Sequence, residues 1–106
     1  MILTGKKIIE EVRKNRIDIS PFDKERITTN SYDLSLGDTI IRYKSDIIDP
    51  RCKPSYDEIK IPKEGIILHA GDFVLGHSNE RIGSDFYVPL IHGKSGTARM
   101  GLFVHI

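Results

Sequence analysis

The stretch from Asn30 to Tyr43, "NSYDLSLGDTIIRY", decides the fold class. In its first half, Tyr32, Leu34 and Leu36 alternate with small polar residues, which is the spacing of a half-buried strand. Gly37 and Asp38 are typical of a turn, and residues 39–43 are rich in β-branched and aromatic side chains. The stretch therefore predicts two strands joined by a turn.

Short apolar segments separated by turn residues continue on both sides of this stretch. We predict further strands at residues 17–20, 59–61, 66–68, 73–76, 86–91 and 102–106, and a charged, proline-containing loop at 44–58. Many short strands with few helical patterns indicate a mainly β fold, an antiparallel sandwich or barrel.

One amphipathic helix is predicted at the N-terminus. Thr4 is a plausible N-cap, Ile8, Ile9 and Val12 share an apolar face, and Asn15 can end the helix. The opposite face is predicted to be charged and solvated; it consists of Lys6, Lys7, Glu10, Glu11, Arg13 and Lys14.

Composition narrows the class of protein. The 106 residues suit a single domain, and a net charge of +1 gives no bulk electrostatic case for binding nucleic acid or a membrane. Cys52 is the only cysteine, which excludes an intramolecular disulfide and a cysteine zinc cluster. The sequence has no signal peptide and no segment of transmembrane length, so we expect a cytoplasmic protein.

Candidate metal ligands are few. His69, His77, His92 and His105 form no H-x-x-x-H or H-x-E pattern, so we predict no metal site and interpret most of them as structural or solvated. His105 is the exception worth following, because it lies close in sequence to a basic segment.

Two polar features have ordinary structural interpretations. Asn30, Ser31 and Asp33 are interpreted as a buried hydrogen-bonding cluster that fixes a strand and its turn, with a polar functional face as the alternative. Glu80 is interpreted as a turn residue or a salt-bridge partner rather than a site carboxylate.

The segment Gly93-Lys94-Ser95 looks like the end of a phosphate-binding P-loop. That motif needs a first glycine where this chain has Val88, and Pro89 removes a backbone donor. A P-loop must also open into a helix, whereas the sequence after Ser95 favours a turn and a strand. We exclude a P-loop on these grounds.

Two interpretations of residues 93–99 then stay open on local composition. One is a hairpin turn with solvated basic residues, and the other is an anion-binding loop that uses Ser95 and Arg99, since the guanidinium offers a rigid fork of donors. Because no histidine–aspartate pair stands near Ser95 in the sequence, we interpret this serine as a positioning group rather than a nucleophile.

Four ordered segments carry a family resemblance over the whole chain, from Met1 to Ile106. They are "MILTGKKIIEEV", "ISPFDKERITTNSYDLSLGD", "LHAGDFVLGHSNERI" and "VPLIHGKSGTARMGLFVHI". In this order they resemble the dCTP deaminase family, the deaminase branch of the dUTPase superfamily.

The resemblance implies a distorted antiparallel β-barrel of the dUTPase-like (β-clip) type with a short N-terminal helix, assembled as a homotrimer with active sites between subunits. Members deaminate dCTP to dUTP, hydrolyse dUTP to dUMP, or do both, and they bind the triphosphate with Mg²⁺. Zinc deaminases need H-x-E and P-C-x-x-C, which a chain with one cysteine cannot supply, so deamination would be zinc-free.

The resemblance also assigns roles to residues. Ser95 and Arg99 match catalytic positions, near the attacking water and the reacting end of the nucleotide, and His105 matches the histidine before the base-reading segment. The triphosphate would contact Lys94, Ser95, Gly96, Thr97, Ala98 and Arg99. Lys94 stands where the family usually has arginine, and Gly96 replaces a serine, as in the R-S-G-L-A motif of trimeric dUTPases.

The family's catalytic glutamate follows a T-A-G-x-x-D-x-G-F segment, which would lie beyond Ile106. We therefore expect residues 1–106 to form one dUTPase-like domain that is incomplete at the C-terminus and holds half of an active site. The leading interpretation is a dCTP deaminase; the alternatives are a dUTPase or bifunctional enzyme, and an inactive nucleotide-binding regulator. Expected partners are dCTP or dUTP and a homotrimer or a complementing chain.

Overall fold

The computed structural model describes residues 1–104. Its helices are α1 (Gly5–Arg13), a short 3-10 helix (Lys24–Arg26) and α2 (Ser95–Arg99). Its strands are β1 (Asp18–Ser20), β2 (Leu36–Tyr43), β3 (Tyr56–Lys60), β4 (Leu75–Ser78) and β5 (Arg81–Gly83).

The strands form two antiparallel sheets. The larger has the order β3-β2-β4, and the smaller pairs β1 with β5. In the larger sheet Ile40 lies opposite Ile59 on one side and Gly76 on the other, and it is only 3% exposed. The mainly β class is confirmed; within residues 1–104 the two sheets stay open, consistent with a distorted β fold of the dUTPase-like kind.

The predicted turn at Gly37-Asp38 is wrong. Both residues lie inside β2, which begins at Leu36 and pairs with β4 through an irregularity between Leu36 and Ile40. Gly37 allows a close approach there: the His77 ring packs directly over it, and a Cβ at this position would force the ring to move.

Other strand predictions were shifted or wrong. The strand at 17–20 is confirmed as β1, while β4 starts later than predicted and β3 starts inside the predicted loop, at Tyr56. The apolar segments 66–68, 86–91 and 102–104 contain no strand, and β5 was not predicted. Strand formation needs a pairing partner as well as propensity, and Pro89 removes a donor from one of these segments. Residues 105 and 106 of the last predicted strand lie outside the described residues.

Helix α1 has the predicted start. The Thr4 hydroxyl accepts a hydrogen bond from the backbone N–H of Lys7 at 3.3 Å, so the N-cap is confirmed. Asn15 takes the left-handed backbone conformation, with φ 58°, two residues after the helix ends. Ile8 is buried as predicted, but Glu11 is completely buried, so its placement on a solvated face was wrong.

Glu11 is buried because a cation from the following turn pairs with it. Arg16 donates to the carboxylate from Nε at 2.5 Å and from Nη2 at 2.6 Å, and Lys7 Nζ lies 3.4 Å away. The Arg16 backbone oxygen accepts a hydrogen bond from the Ser84 hydroxyl at 2.6 Å, and its guanidinium lies 5.9 Å from the centre of the Phe86 ring. This cluster ties the N-terminal helix to residues 84–86.

Little apolar surface is fully buried. Among residues 1–104 the buried hydrophobic side chains are Ile8, Ile19 and Ile40. Large apolar side chains in the segments 86–91 and 100–104 are exposed; they include Phe86, Val88, Leu90, Met100 and Phe103. No helix in the described part of the chain has the length and apolar character needed to cross a membrane.

Candidate functional site

Residues 93–99 do not form the predicted hairpin turn. Ser95 to Arg99 form the short helix α2, in which the Ala98 N–H donates to the Lys94 carbonyl at 3.0 Å. Gly101, with φ 83°, follows the helix in the left-handed conformation that commonly ends helices. The expectation that no helix follows Ser95 was therefore wrong, although Val88 and Pro89 still exclude a P-loop.

Helix α2 gives the candidate residues a definite arrangement. Ser95 and Arg99 are four positions apart and so lie on the same side of the helix. The N–H groups at Ser95, Gly96 and Thr97 belong to the first turn, where backbone donors have no partner inside the helix. All of these side-chain positions are exposed except Thr97, which is half-buried.

Lys94, immediately before α2, is held by a carboxylate from a distant part of the chain. Its Nζ donates to Asp33 Oδ2 at 2.7 Å, and the two side chains are 68% and 29% exposed. This contact joins the start of α2 to the segment that leads into β2. It places an ammonium and a carboxylate side by side, which sequence spacing gave no means of predicting.

The backbone of Asp33 is also fixed. Its N–H donates to the Arg26 carbonyl at 2.9 Å, and Arg26 Nη1 donates to its carbonyl at 3.4 Å. Ser31 lies against Thr28, with 2.5 Å between the two hydroxyl oxygens. Ser31 and Asp33 are hydrogen-bonded as expected, but the expected burial was wrong: Asn30 and Ser31 are exposed and Asp33 is half-buried.

The interpretation of Glu80 as a turn residue or salt-bridge partner did not predict that its carboxylate is buried. It is 5% exposed, and its carboxylate faces Ser35, whose backbone N–H lies 2.7 Å and 3.1 Å from the two oxygens and whose hydroxyl lies 2.9 Å and 2.7 Å from them. Burial acts to raise the pKa of Glu80, but the backbone and hydroxyl of Ser35 outweigh it and hold that pKa below its usual range. Its sequence signal was its place in the segment "LHAGDFVLGHSNERI", one of the four that carry the family resemblance.

Two shallow grooves lie away from this region. One of about 410 Å³ is lined by Val12, Asn15, Ile17, Asp18 and Ile19, and one of about 160 Å³ by Thr39, Ile41, Glu58, Leu75, Gly76 and His77. Neither includes a residue from 93–99, a segment that is exposed except for the half-buried Thr97.

The histidines of the described part do not gather with other metal ligands. Residues 1–104 contain no group of three or more histidine, cysteine or acidic side chains that could hold a metal ion. His77 has a structural position: its Nδ1 lies 3.0 Å from the Ser78 carbonyl oxygen and its Nε2 3.4 Å from the Thr39 hydroxyl. His105, predicted to lie near the base, falls outside the described residues.

The side chains around α2 are of types that contact anions in proteins. They are an ammonium, a guanidinium and a hydroxyl within one short stretch, and the ammonium is paired with Asp33. The Asp33 carboxylate beside Lys94 adds an oxygen ligand that a hard cation accompanying such an anion would prefer.

Known proteins with similar sequences were compared with this chain. The family described as dCTP deaminase-like matches residues 2–106. A Clostridium beijerinckii protein named "dCTP deaminase, dUMP-forming" is 42% identical over 106 residues, and a Clostridium botulinum (strain Alaska E43) protein of the same name is 41% identical over the same length. A Rhodopirellula baltica protein named "dCTP deaminase" is 37% identical over 105 residues.

The matches cover all or nearly all of this chain but only part of the relatives. The chain spans 61% of the length of the two clostridial relatives and 52% of the Rhodopirellula baltica one. Since the family match runs over residues 2–106, the chain belongs to the dCTP deaminase-like family.

Proposed function

We propose that this chain provides the triphosphate-binding half of a site for the hydrolytic deamination of dCTP. The proposal is supported by the family match and by relatives named dCTP deaminase at 36–42% identity over the full chain. The words "dUMP-forming" in the clostridial names favour the bifunctional alternative, in which dUTP is also hydrolysed to dUMP.

The observation that carries the proposal is the arrangement of Lys94 and α2. The triphosphate binds the Lys94 ammonium, the Arg99 guanidinium and the first-turn N–H groups, and Ser95 donates its hydroxyl to the same ligand. Lysine supplies charge but not the bidentate fork of the arginine that the family usually has here, so orientation depends more on Arg99.

Magnesium is proposed to enter with the substrate. The Asp33 carboxylate fits it chemically, because Mg²⁺ prefers oxygen ligands and usually binds through one or two carboxylates plus phosphate oxygens. Bound Mg²⁺ would neutralise part of the phosphate charge. The role of this chain is then to hold the triphosphate so that the cytosine ring is presented to the acid–base group.

Deamination adds water to C4 of cytosine and releases ammonia, which requires a group that removes a proton from water and returns one to the leaving nitrogen. A serine hydroxyl and an arginine guanidinium are not among the usual general acid–base groups, so Ser95 and Arg99 position the substrate and water. Since the chain spans 61% of the length of its clostridial relatives, we propose that the acid–base carboxylate comes from a polypeptide segment outside residues 1–106.

Calorimetry with the 106-residue chain, dCTP, dUTP, dCMP and Mg²⁺ tests the proposal. Because the proposed contacts are to the triphosphate, we expect dCTP and dUTP to bind at least tenfold more tightly than dCMP. Equal or undetectable binding of all three would overturn it. Ammonia release and dUMP formation are followed in parallel. Binding without turnover agrees both with a site that lacks its acid–base group and with the inactive alternative. Fusing this chain to the segment that follows the matched region in a clostridial relative distinguishes the two. Only a site that lacks its acid–base group should then gain ammonia release.

A further inference from the structure

Ser35 is held by Asn79 and Glu80, the two residues that connect β4 to β5. Its N–H and its hydroxyl both face the Glu80 carboxylate, at distances between 2.7 and 3.1 Å, and its carbonyl accepts from the Asn79 N–H at 2.8 Å. Every polar group of Ser35 is therefore held by residues 79 and 80. The contact spans 45 positions of sequence.

Glu80 is itself held in place. It is 5% exposed, and its backbone carbonyl accepts from the Ser78 hydroxyl at 2.6 Å. A buried carboxylate without hydrogen-bond donors would be costly, and Ser35 supplies those donors. The positive charge of Arg26 also acts on Glu80, and the same arginine brackets the backbone of Asp33.

Asp33 lies only two residues before Ser35. Its backbone N–H and carbonyl are hydrogen-bonded to Arg26, and two residues later the backbone N–H of Ser35 is hydrogen-bonded to Glu80. The carboxylate that meets Lys94 at 2.7 Å thus projects from a backbone fixed at both ends.

We propose that Glu80 is a positioning residue of the triphosphate site, which acts through Ser35 and Asp33 to hold Lys94 at the start of α2. The proposal rests on the proposed function, because it assumes that Lys94 and Asp33 meet the magnesium triphosphate. The Glu80 carboxylate is hydrogen-bonded to Ser35 and not to Lys94 or Asp33. Groups that orient ligand-binding residues from behind commonly change affinity about tenfold or more when they are replaced.

The test is a double-mutant cycle on binding of magnesium-dCTP by the 106-residue chain. Glu80→Gln keeps the shape of the side chain but turns one acceptor oxygen into a donor facing Ser35, and we expect Kd to rise roughly tenfold. In an Asp33→Asn background the same substitution should change Kd less than about twofold, since its route to Lys94 is already lost. Glu64→Gln, at an exposed position, is the matched control and should leave Kd unchanged.

A general structural role would give a different result. In that case Glu80→Gln would weaken magnesium-dCTP binding equally in the wild-type and Asp33→Asn backgrounds, and that outcome overturns the proposal. If Glu80→Gln does not fold, Ser35→Ala replaces it in the cycle, because it removes only the hydroxyl; it should show a smaller effect with the same dependence on Asp33.

Amide hydrogen exchange gives a readout that needs no nucleotide. Glu80→Gln, or Ser35→Ala in its place, should speed exchange at Ser35 and Asp33 at least tenfold while leaving Ile40 in β2 unchanged. If the wild-type chain binds no dCTP, the proposed function fails, yet exchange still shows whether Glu80 fixes Asp33. Unchanged exchange at Asp33 would overturn the positioning role itself.

Discussion

Arg16 donates two hydrogen bonds to the fully buried carboxylate of Glu11, from Nε at 2.5 Å and Nη2 at 2.6 Å. The backbone oxygen of the same arginine accepts a hydrogen bond from the Ser84 hydroxyl, 68 positions later, and its guanidinium lies over the Phe86 ring. Arg16 therefore connects the N-terminal helix to a distant part of the chain. With few buried apolar side chains in the described part, this contact matters more for stability than a surface ion pair would.

Replacing Glu11 should destabilise the fold. Glu11→Gln leaves the Arg16 guanidinium without its charged partner, and we expect Tm to fall by more than about 5 °C. Glu10→Gln, on the exposed neighbouring position, is the matched control and should shift Tm by less than about 2 °C, because exposed ion pairs contribute little. Equal Tm values for the two variants would contradict the role of the pair.

The same pair predicts how stability depends on pH. The hydrogen bonds from Arg16 lower the pKa of Glu11 to about 2, from an ordinary 4.5, against the opposing effect of burial. Because the folded pKa is the lower one, Glu11 stabilises the fold above about pH 4.5 and loses this contribution as pH falls toward about 2.

Urea unfolding between pH 6 and pH 2 measures this effect. The difference in midpoint between wild type and Glu11→Gln should be full at pH 6 and shrink through the acid range. A difference that stays constant down to pH 2 would contradict the assignment.

Arg99 should matter more for nucleotide binding than a lysine outside α2. Loss of a charge-assisted hydrogen bond costs about 1.5–3 kcal/mol, so Arg99→Ala should weaken binding of magnesium-dCTP roughly ten- to a hundredfold. Lys63→Ala, at an exposed position in the β3–β4 connection, should leave it unchanged. Calorimetry that finds the same affinity for both variants would exclude the site assignment.

Gly96 can take a side chain. A Cβ built at this position meets no heavy atom within 4 Å, so Gly96→Ser restores the family's second serine without a clash. We expect Tm to hold or rise slightly, since serine is a better helix former than glycine, and triphosphate affinity to increase about two- to tenfold through an added hydroxyl contact. Gly37→Ser, where the His77 ring blocks a side chain, is the contrasting substitution and should lower Tm.

The exposed apolar segments predict association. Phe86, Val88, Leu90 and Phe103 are each at least 66% exposed, and this much exposed large apolar surface indicates association with another protein surface. We expect light scattering at micromolar concentration to show an oligomer, which Phe103→Asp shifts toward monomer and Ile47→Asp does not. A monodisperse, cooperatively folded wild-type monomer would contradict this prediction.

Local chemistry was the predictable part of the fold. The Thr4 cap, the apolar Ile8 and the mainly β class depend on residue type and short-range spacing, and all three are confirmed. Glu11 was misplaced because its burial depends on Arg16 and on residues 84–86, which no helical periodicity can show. Apolar segments such as 86–91 were predicted as strands because propensity does not reveal whether a pairing partner exists.

The residues of the candidate site stay predictions, and the local structure that holds them was not predictable from the sequence. Lys94, Ser95 and Arg99 were identified from sequence, yet the local glycines and β-branched residues indicated a turn where the chain forms α2. The Asp33–Lys94 contact spans 61 positions and the Ser35–Glu80 contact 45, so both depend on how the chain folds back on itself. The assigned roles of the site residues stay predictions.

The His77 ring packs over Gly37 where β2 meets β4 at an irregularity of the register. A slip of β2 by one residue would place Leu36 or Asp38 there, and the ring would have to move. Short strands with few buried side chains are otherwise prone to slippage. A missing side chain at this position therefore favours the observed pairing, and the same pairing brings Ser35 beside Glu80.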